Sequence, residues 1–285
     1  MTRNQTFVAE FLLLGLSKSL KIRLLLFGLF SVTYTITLVG NSMILMLIWL
    51  DPRLHTPMYF FLSHLAFVDI CYTSSTVPQM LVNLQSPRQT ISLAGCAVQM
   101  YVFLVLATTE CILLAVMAYD RYVAICHPLH YTFLMNKRVC MKLAVATWMS
   151  GLLLPVLACA DTKMVEKVTS VGCIFTLLIP ISFILMTYIR ILASVLKIQS
   201  AQGQHKAFST CVSHISVVVL FYGSAIFMYM RPESSHSPGQ DKMISLFYSI
   251  VIPLFNPIIY SLKNRDVKEA LIKILRSTSK ARQCK

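Results

Sequence analysis

Apolar residues fill this chain in seven long runs separated by short polar stretches. The runs cover Leu24–Leu50, Pro57–Leu84, Cys96–Val123, Val139–Ala158, Val171–Val195, Phe208–Met230 and Met243–Leu262. Each is near the ~20 residues that cross ~30 Å of hydrocarbon as a helix. An open strand cannot satisfy its backbone polar groups in lipid, so all seven runs predict helices. Pro78, Pro155, Pro180, Pro253 and Pro257 fall inside them and mark expected kinks. After the seventh run, Val267, Ala270, Leu271, Ile274 and Leu275 recur at helical spacing among charges. That pattern predicts an amphipathic helix lying on the membrane surface. The predicted fold class is all-α: a seven-transmembrane helix bundle with a short amphipathic helix after the seventh span. Residues 1–23 form an N-terminal segment, 24–262 the bundle, and 263–285 the amphipathic helix and a basic tail.

Composition supports a membrane protein. The chain is 56% hydrophobic and only 13% charged, against about 25% charged in soluble domains. A formal charge of +14 invites a nucleic-acid reading, but the cations flank apolar runs and form no separate patch. They are topology signals, and no nucleic acid is expected as a partner. With the N-terminus outside, sixteen of the 25 Lys and Arg residues fall in cytoplasmic segments. The sequon Asn4-Gln5-Thr6 agrees, because Asn4 can carry a glycan only on the outer side. The stretch Phe7–Leu16 is short, holds Glu10 and lacks a basic lead, so the first span is expected to serve as the insertion signal. The expected location is the plasma membrane, crossed several times, with membrane lipid as a partner.

Charges inside the apolar runs carry the chemistry. Asp120-Arg121-Tyr122 closes the third run, and two charges there need water or a partner. Asp69 and Glu110 lie at mid-membrane depth, where an isolated carboxylate costs at least ~2.5 kcal/mol. Two such acids close together either share a proton or hold a cation, and an acid protonated purely for packing is the plainer alternative. His64, His127, His130, His205 and His214 show no metal-ligand spacing. Nothing resembles a phosphate loop or a nucleophile elbow, so no enzyme is expected. The fifteen methionines read as bundle filler.

Seven spans, an outer N-terminus, Asp120-Arg121-Tyr122 and Asn256-Pro-Ile-Ile-Tyr260 together resemble the rhodopsin-like G-protein-coupled receptors. A finer resemblance is to the odorant (olfactory) receptors. Four strings carry it: Leu54-His-Thr-Pro-Met-Tyr-Phe-Phe-Leu62, Met117–Tyr131, Lys206-Ala-Phe-Ser-Thr-Cys211 and Pro257-Ile-Ile-Tyr-Ser-Leu-Lys-Asn264. The resemblance implies a small odorant ligand and a stimulatory G protein that raises cyclic AMP. It implies that Asp120, Arg121, Tyr122, Tyr188 and Tyr260 serve coupling, with Arg121 paired to Asp120 at rest. It implies a ligand pocket in the outer half of the bundle, lined by Phe103, Leu104, Ala107, Thr108, Cys173, Thr176, Tyr222, Ala225, Ile226, Tyr229 and Ser249. Asp69 matches the family's sodium-site aspartate, with Glu110, Asn41 and Asn256 as expected neighbours; a sodium ion is the one cofactor to consider. The amine-binding Asp of other receptors is replaced here by Phe103, and the retinal Lys is absent from the seventh run.

One region departs from that pattern. Trp148 and Pro180, each midway along its span, are only 32 residues apart. Completing both helices takes roughly two dozen residues at ~1.5 Å each, which leaves about ten for the second outer loop. Odorant receptors usually have a long loop there, bridged by disulfide to the top of the third helix. Cys96 is that helix-three cysteine, and its usual partner is missing. A Cys96–Cys159 pair is the remaining expectation. The alternative to a working receptor is a loop-deleted, poorly folding or non-signalling variant; a transporter is disfavoured because no inverted repeat is present.

Overall fold

The computed structural model describes residues 10–12, 19–86, 89–159, 165–229, 246–263 and 267–273. Long helices dominate these residues, as the apolar runs require. They are α1 (Leu20–Leu50), α2 (Pro57–Gln85), α3 (Leu93–Cys126), α4 (Lys137–Cys159), α5 (Val165–Val195) and α6 (Ala201–Tyr229). A π-helical turn, Phe247–Val251, leads into α7 (Ile252–Lys263), and residues 267–273 form the helix α8. The expected sequon at Asn4 lies outside the described residues.

Five of these helices are long and apolar enough to cross a membrane by length and composition. The seven expected spans are not all among them, for two reasons. Over its 29 residues α2 carries His64, Asp69, the Thr73-Ser-Ser-Thr76 run, Gln79 and Asn83, which lower its hydropathy. Of the seventh expected span, Met243, Ile244 and Ser245 lie outside the described residues, and the rest contributes the shorter apolar stretch Ser249–Tyr260.

Polar residues at the run boundaries set where helices start. Pro57 opens α2 at a position where its missing N–H is no loss. Ser92 caps α3, its Oγ accepting the Gly95 N–H at 3.0 Å. Asn136 caps α4, its Oδ1 accepting the Val139 N–H at 3.0 Å. The helices extend past the apolar runs wherever the flanking residues permit. The largest extension is in α6, which begins seven residues before the expected Phe208; α5 begins six before the expected Val171 and so draws short-loop residues into the helix. One element was not anticipated by an all-α reading. Glu10–Leu12 pairs antiparallel with Thr90–Ser92, Phe11 facing Ile91. Two three-residue segments carry too little period-2 pattern to be read from sequence.

Helix α3 is the axis of the bundle, packed against α2, α4, α5 and α6, while α1 packs on α2 and α7. The core gathers Leu47, Leu54, Phe61, Leu65, Leu114, Phe221 and Tyr222, all essentially inaccessible. Outward faces stay apolar: Trp49, Leu25 and Ile189 are largely exposed, the inverse of a soluble protein and what a lipid solvent demands.

Helix α8 docks through Val267 and Ala270, both buried. Arg53, between α1 and α2, clasps it. Its guanidinium pairs with Asp51 at 2.8 Å and with Glu269 of α8 at 3.5 Å. The Arg53 side chain and backbone N–H hold the Asp51 carboxyl down at about 2. A carboxyl whose pKa is lowered on folding stabilises above its unfolded value and loses that effect as pH falls. Asp51→Asn is therefore expected to lower the thermal midpoint at pH 7. The gap to wild type should close as pH falls from about 4 to about 2. Thermal melts in detergent across that window check it; a gap that persists at pH 2 contradicts the clasp.

Candidate functional site

Two buried acids from different helices meet in the middle of the bundle. Asp69 of α2 and Glu110 of α3 are 0% and 2% exposed. Both face the side-chain amide of Asn256 on α7. Its Nδ2 donates to the Asp69 carboxylate at 3.0 and 3.1 Å and to Glu110 Oε1 at 3.5 Å. One nitrogen with two protons thus serves two carboxyl groups. On the same amide, Asn256 Oδ1 is buried and has no hydrogen-bond partner among the described residues. Three side chains rich in oxygen around one point fit a small hard cation or one shared proton. They do not form a three-ligand His/Cys/Asp/Glu cluster, and no such cluster exists among the described residues.

Asn41 was expected beside these acids, but its amide is committed elsewhere. Pro257 has no N–H, so the Pro253 carbonyl one turn earlier lacks its helical donor. Asn41 Nδ2 supplies one at 3.2 Å, while also donating to Thr37 O at 3.0 Å. Gly40 makes the approach feasible, since a Cβ there would lie 3.1 Å from the Pro257 ring. Asn41 therefore ties α1 to α7 and contributes through Asn256's helix, not through contact with the acids.

At the end of α3, the expected Asp120–Arg121 ion pair is not formed. Asp120 is buried and its Oδ1 accepts the Tyr131 hydroxyl at 2.8 Å. Burial and the neighbouring Asp120 carboxylate push the Tyr131 hydroxyl above its usual pKa. The Arg121 guanidinium instead reaches the Met58 sulfur of α2, and no described carboxylate lies within ion-pair distance of it. Tyr122 Oη pairs with His127 Nε2 at 3.1 Å. The local reason is geometric: the one-turn helix Tyr131–Leu134 brings a neutral donor to Asp120 that adjacent Arg121 cannot match.

His214 is the residue that sequence reasoning passed over. It sits in the middle of α6, 1% exposed, and links three helices. Tyr188 Oη of α5 lies 2.7 Å from its Nδ1, and Leu114 O of α3 lies 3.0 Å from its Nε2. Since the Leu114 carbonyl can only accept, Nε2 carries the proton and Nδ1 accepts from Tyr188. The available signal was a lone imidazole within an apolar run, which is costly unless paired. Tyr260, also expected in coupling, is 2% exposed, and its hydroxyl has no partner among the described residues.

The expected ligand-lining residues divide by depth. Phe103, Leu104, Ala107, Thr176, Ile226 and Ser249 are half-buried, while Thr108, Tyr222 and Ala225 are buried. Phe103 packs on Tyr72, ring centroids 5.1 Å apart. Tyr222 donates to the Cys111 carbonyl at 3.0 Å and is 1% exposed. The structure brings it into the floor of the bundle, not onto an open wall. The side chains of Cys173 and Tyr229 lie outside the described residues, as does that of Cys159. Cys96 is a free thiol; the expected Cys96–Cys159 pair rests on a side chain outside the described residues.

Comparison with known proteins agrees with this arrangement. A family model described as a seven-transmembrane receptor (rhodopsin family) matches residues 40–163, and one described as olfactory receptor matches residues 150–278. The chain is similar to human olfactory receptor 2A5, at 50% identity over 96% of this chain and 98% of the relative. It is 51% identical to human olfactory receptor 2A1/2A42 over 96% and 98%. It is 50% identical to mouse olfactory receptor 2A7 over 97% and 99%. The first of these alignments runs over 305 positions, longer than the 285-residue chain itself, so at least twenty positions of the relative have no counterpart here. The chain belongs to the olfactory receptors, within the rhodopsin-type seven-transmembrane family, and is a multi-pass membrane receptor and not an enzyme.

Proposed function

We propose that this chain binds small, volatile, mostly neutral molecules in the outer half of its bundle and activates a stimulatory heterotrimeric G protein, raising cyclic AMP. The N-terminus is extracellular and the Arg121 end faces the cytosol of a plasma-membrane receptor. The single observation that supports this best is the His214 link between α3, α5 and α6. It closes the bundle beside Arg121 through hydrogen bonds that an outward movement of α6 would break. Tyr260, with its orphan hydroxyl, gains a partner in any arrangement that brings one within reach. A buried unmade hydrogen bond costs ~1–3 kcal/mol, so the closed state carries a penalty that an open state can relieve. A ligand need only supply the remaining difference in affinity between the two states. The Asp69–Glu110–Asn256 cluster holds one sodium ion or one shared proton and keeps the closed packing together.

The test is cyclic AMP output across a broad odorant panel, read beside surface staining. We expect responses to apolar odorants that vanish in Arg121→Ala at equal surface level. A second reading has its own support. The length deficit against the relatives and the free Cys96 fit a receptor with a deleted second outer loop that reaches the surface but does not signal. Normal surface staining with silence across the panel would favour it.

A further inference from the structure

A recess of about 380 Å³ lies at the end of the bundle opposite Arg121, between α2, the start of α3 and the strand Thr90–Ser92. The volume falls in the range of small-molecule sites. Ser75 and Gln79 stand one turn apart on α2 and share a face. Gln99 reaches across from α3, its Nε2 donating to the Ser75 carbonyl at 3.0 Å. One turn earlier on α3 is Gly95, where a Cβ would lie 2.9 Å from the Ser92 hydroxyl and 3.5 Å from Ile91. Glycine there leaves the recess open. The strand Thr90–Ser92 is held in place by its pairing with Glu10–Leu12. One wall of the recess is polar and uncharged. Gln79 and Gln99 spend their Nε2 groups on Asn83 and Ser75, which leaves the two Oε1 atoms and the Thr90 hydroxyl without hydrogen bonds among the described residues. The other wall, Ile91, Val98 and Val102, is apolar, and no ionisable side chain lines the recess among the described residues. A charged ligand would lose water there without gaining a counter-charge. A pure hydrocarbon would strip water from the carboxamides and return no hydrogen bond. A short neutral diol matches both walls.

We propose that this recess is a binding site for small neutral molecules that carry two hydroxyls on a short carbon chain. The hydroxyls donate to Gln79 Oε1 and Gln99 Oε1, Thr90 adds a further hydrogen bond, and the chain lies against Val98 and Val102. A bound diol bridges α2, α3 and the strand pair. The site shares no lining residue with the odorant pocket proposed above, and it requires neither that pocket's ligand nor the orientation of the chain in the membrane.

Full-length receptor in lipid nanodiscs is titrated with hexane-1,2-diol, 1-hexanol, hexanoate and hexylammonium, with binding read by saturation-transfer NMR. Val98→Trp fills the recess from a position that is 63% exposed, so the signal it removes measures this site alone. That part is expected to saturate with the diol and to be about fivefold weaker for 1-hexanol, the effect of one net hydrogen bond. Hexanoate and hexylammonium should bind more weakly than the diol. Thr90→Val keeps the side-chain shape and loses no described partner, so it should leave the thermal midpoint unchanged and weaken the diol about fivefold. Gln79→Leu should weaken it at least as much. Thr108→Val, in the proposed odorant pocket, should leave diol binding as it is. Diol binding that survives both Thr90→Val and Val98→Trp overturns the proposal, as does a diol that binds no better than 1-hexanol or the two ions. Loss of diol binding in Thr108→Val alone would move it to the other pocket and also overturn it. Silence in the cyclic AMP assay with diol binding intact would instead sink the odorant reading and leave this site standing.

Discussion

Gly151→Ala is expected to remove most of the receptor from the cell surface. Gly151 lies on α4 where that helix meets α3. A Cβ there would sit 3.0 Å from the Val105 carbonyl oxygen and would overlap the Thr109 hydroxyl. Thr109 cannot turn aside freely, because it is fully buried and its Oγ1 donates to Val105 O at 2.7 Å. Overpacking a tight interior costs ~1–3 kcal/mol, and backbone on one side of the contact places this site at the upper end. The thermal midpoint should fall by roughly 5 °C. Gly223 and Gly28 are internal controls: a Cβ at either meets nothing within 4 Å, so Ala there should be neutral or slightly stabilising. Adding Thr109→Ala to Gly151→Ala should recover only part of the loss, because the Val105 contact remains. Melting curves and surface staining of the four variants decide the matter; equal behaviour of Gly151→Ala and Gly223→Ala would show that α3 and α4 do not meet as described.

Asn256→Leu is expected to have an effect at least as large. It preserves volume but removes the one donor that faces both Asp69 and Glu110. Each buried group left without its hydrogen bond costs ~1–3 kcal/mol, and more if ionised. With both acids affected, the combined loss is roughly 3 kcal/mol or more. The physical signature is coupling. Residues in one network are non-additive by ~0.5–3 kcal/mol, so Asn256→Leu should cost less in a Glu110→Gln background, where an amide can itself donate to Asp69. Thermal melts of the two single variants and the double variant give the coupling. Strict additivity would mean that the three side chains do not act together.

Much of this protein can be read from its residues. The apolar runs predicted helices, and the described residues of every run are helical, because no other backbone arrangement of that length satisfies itself in lipid. Asp69 and Glu110 announced themselves as costly groups needing company, and the structure supplies it. The short segment between Trp148 and Pro180 was visible by counting. Local reasoning was weaker wherever one group could choose among partners. Asp120 lies next to Arg121 in the chain, yet its hydrogen bond comes from Tyr131, eleven residues away. Asn41 was grouped with the acids by depth, yet a carbonyl orphaned by Pro257 takes its amide.

The sequence by itself determined the solvent, the helices, the family and which charged residues fall inside the apolar runs. Those follow from free energies of transfer and backbone hydrogen bonding, which depend on residue type and spacing alone. Only the tertiary structure decided which helices meet, that Asn256 stands between two carboxyl groups, that His214 joins α3 to α5 and α6, and that Arg53 clasps α8. Helices in lipid gain little from hydrophobic burial against one another, so their arrangement rests on close packing and a few buried polar bonds. Such bonds join residues far apart in the chain, like the 187 positions between Asp69 and Asn256, and nothing in a local pattern names the partner.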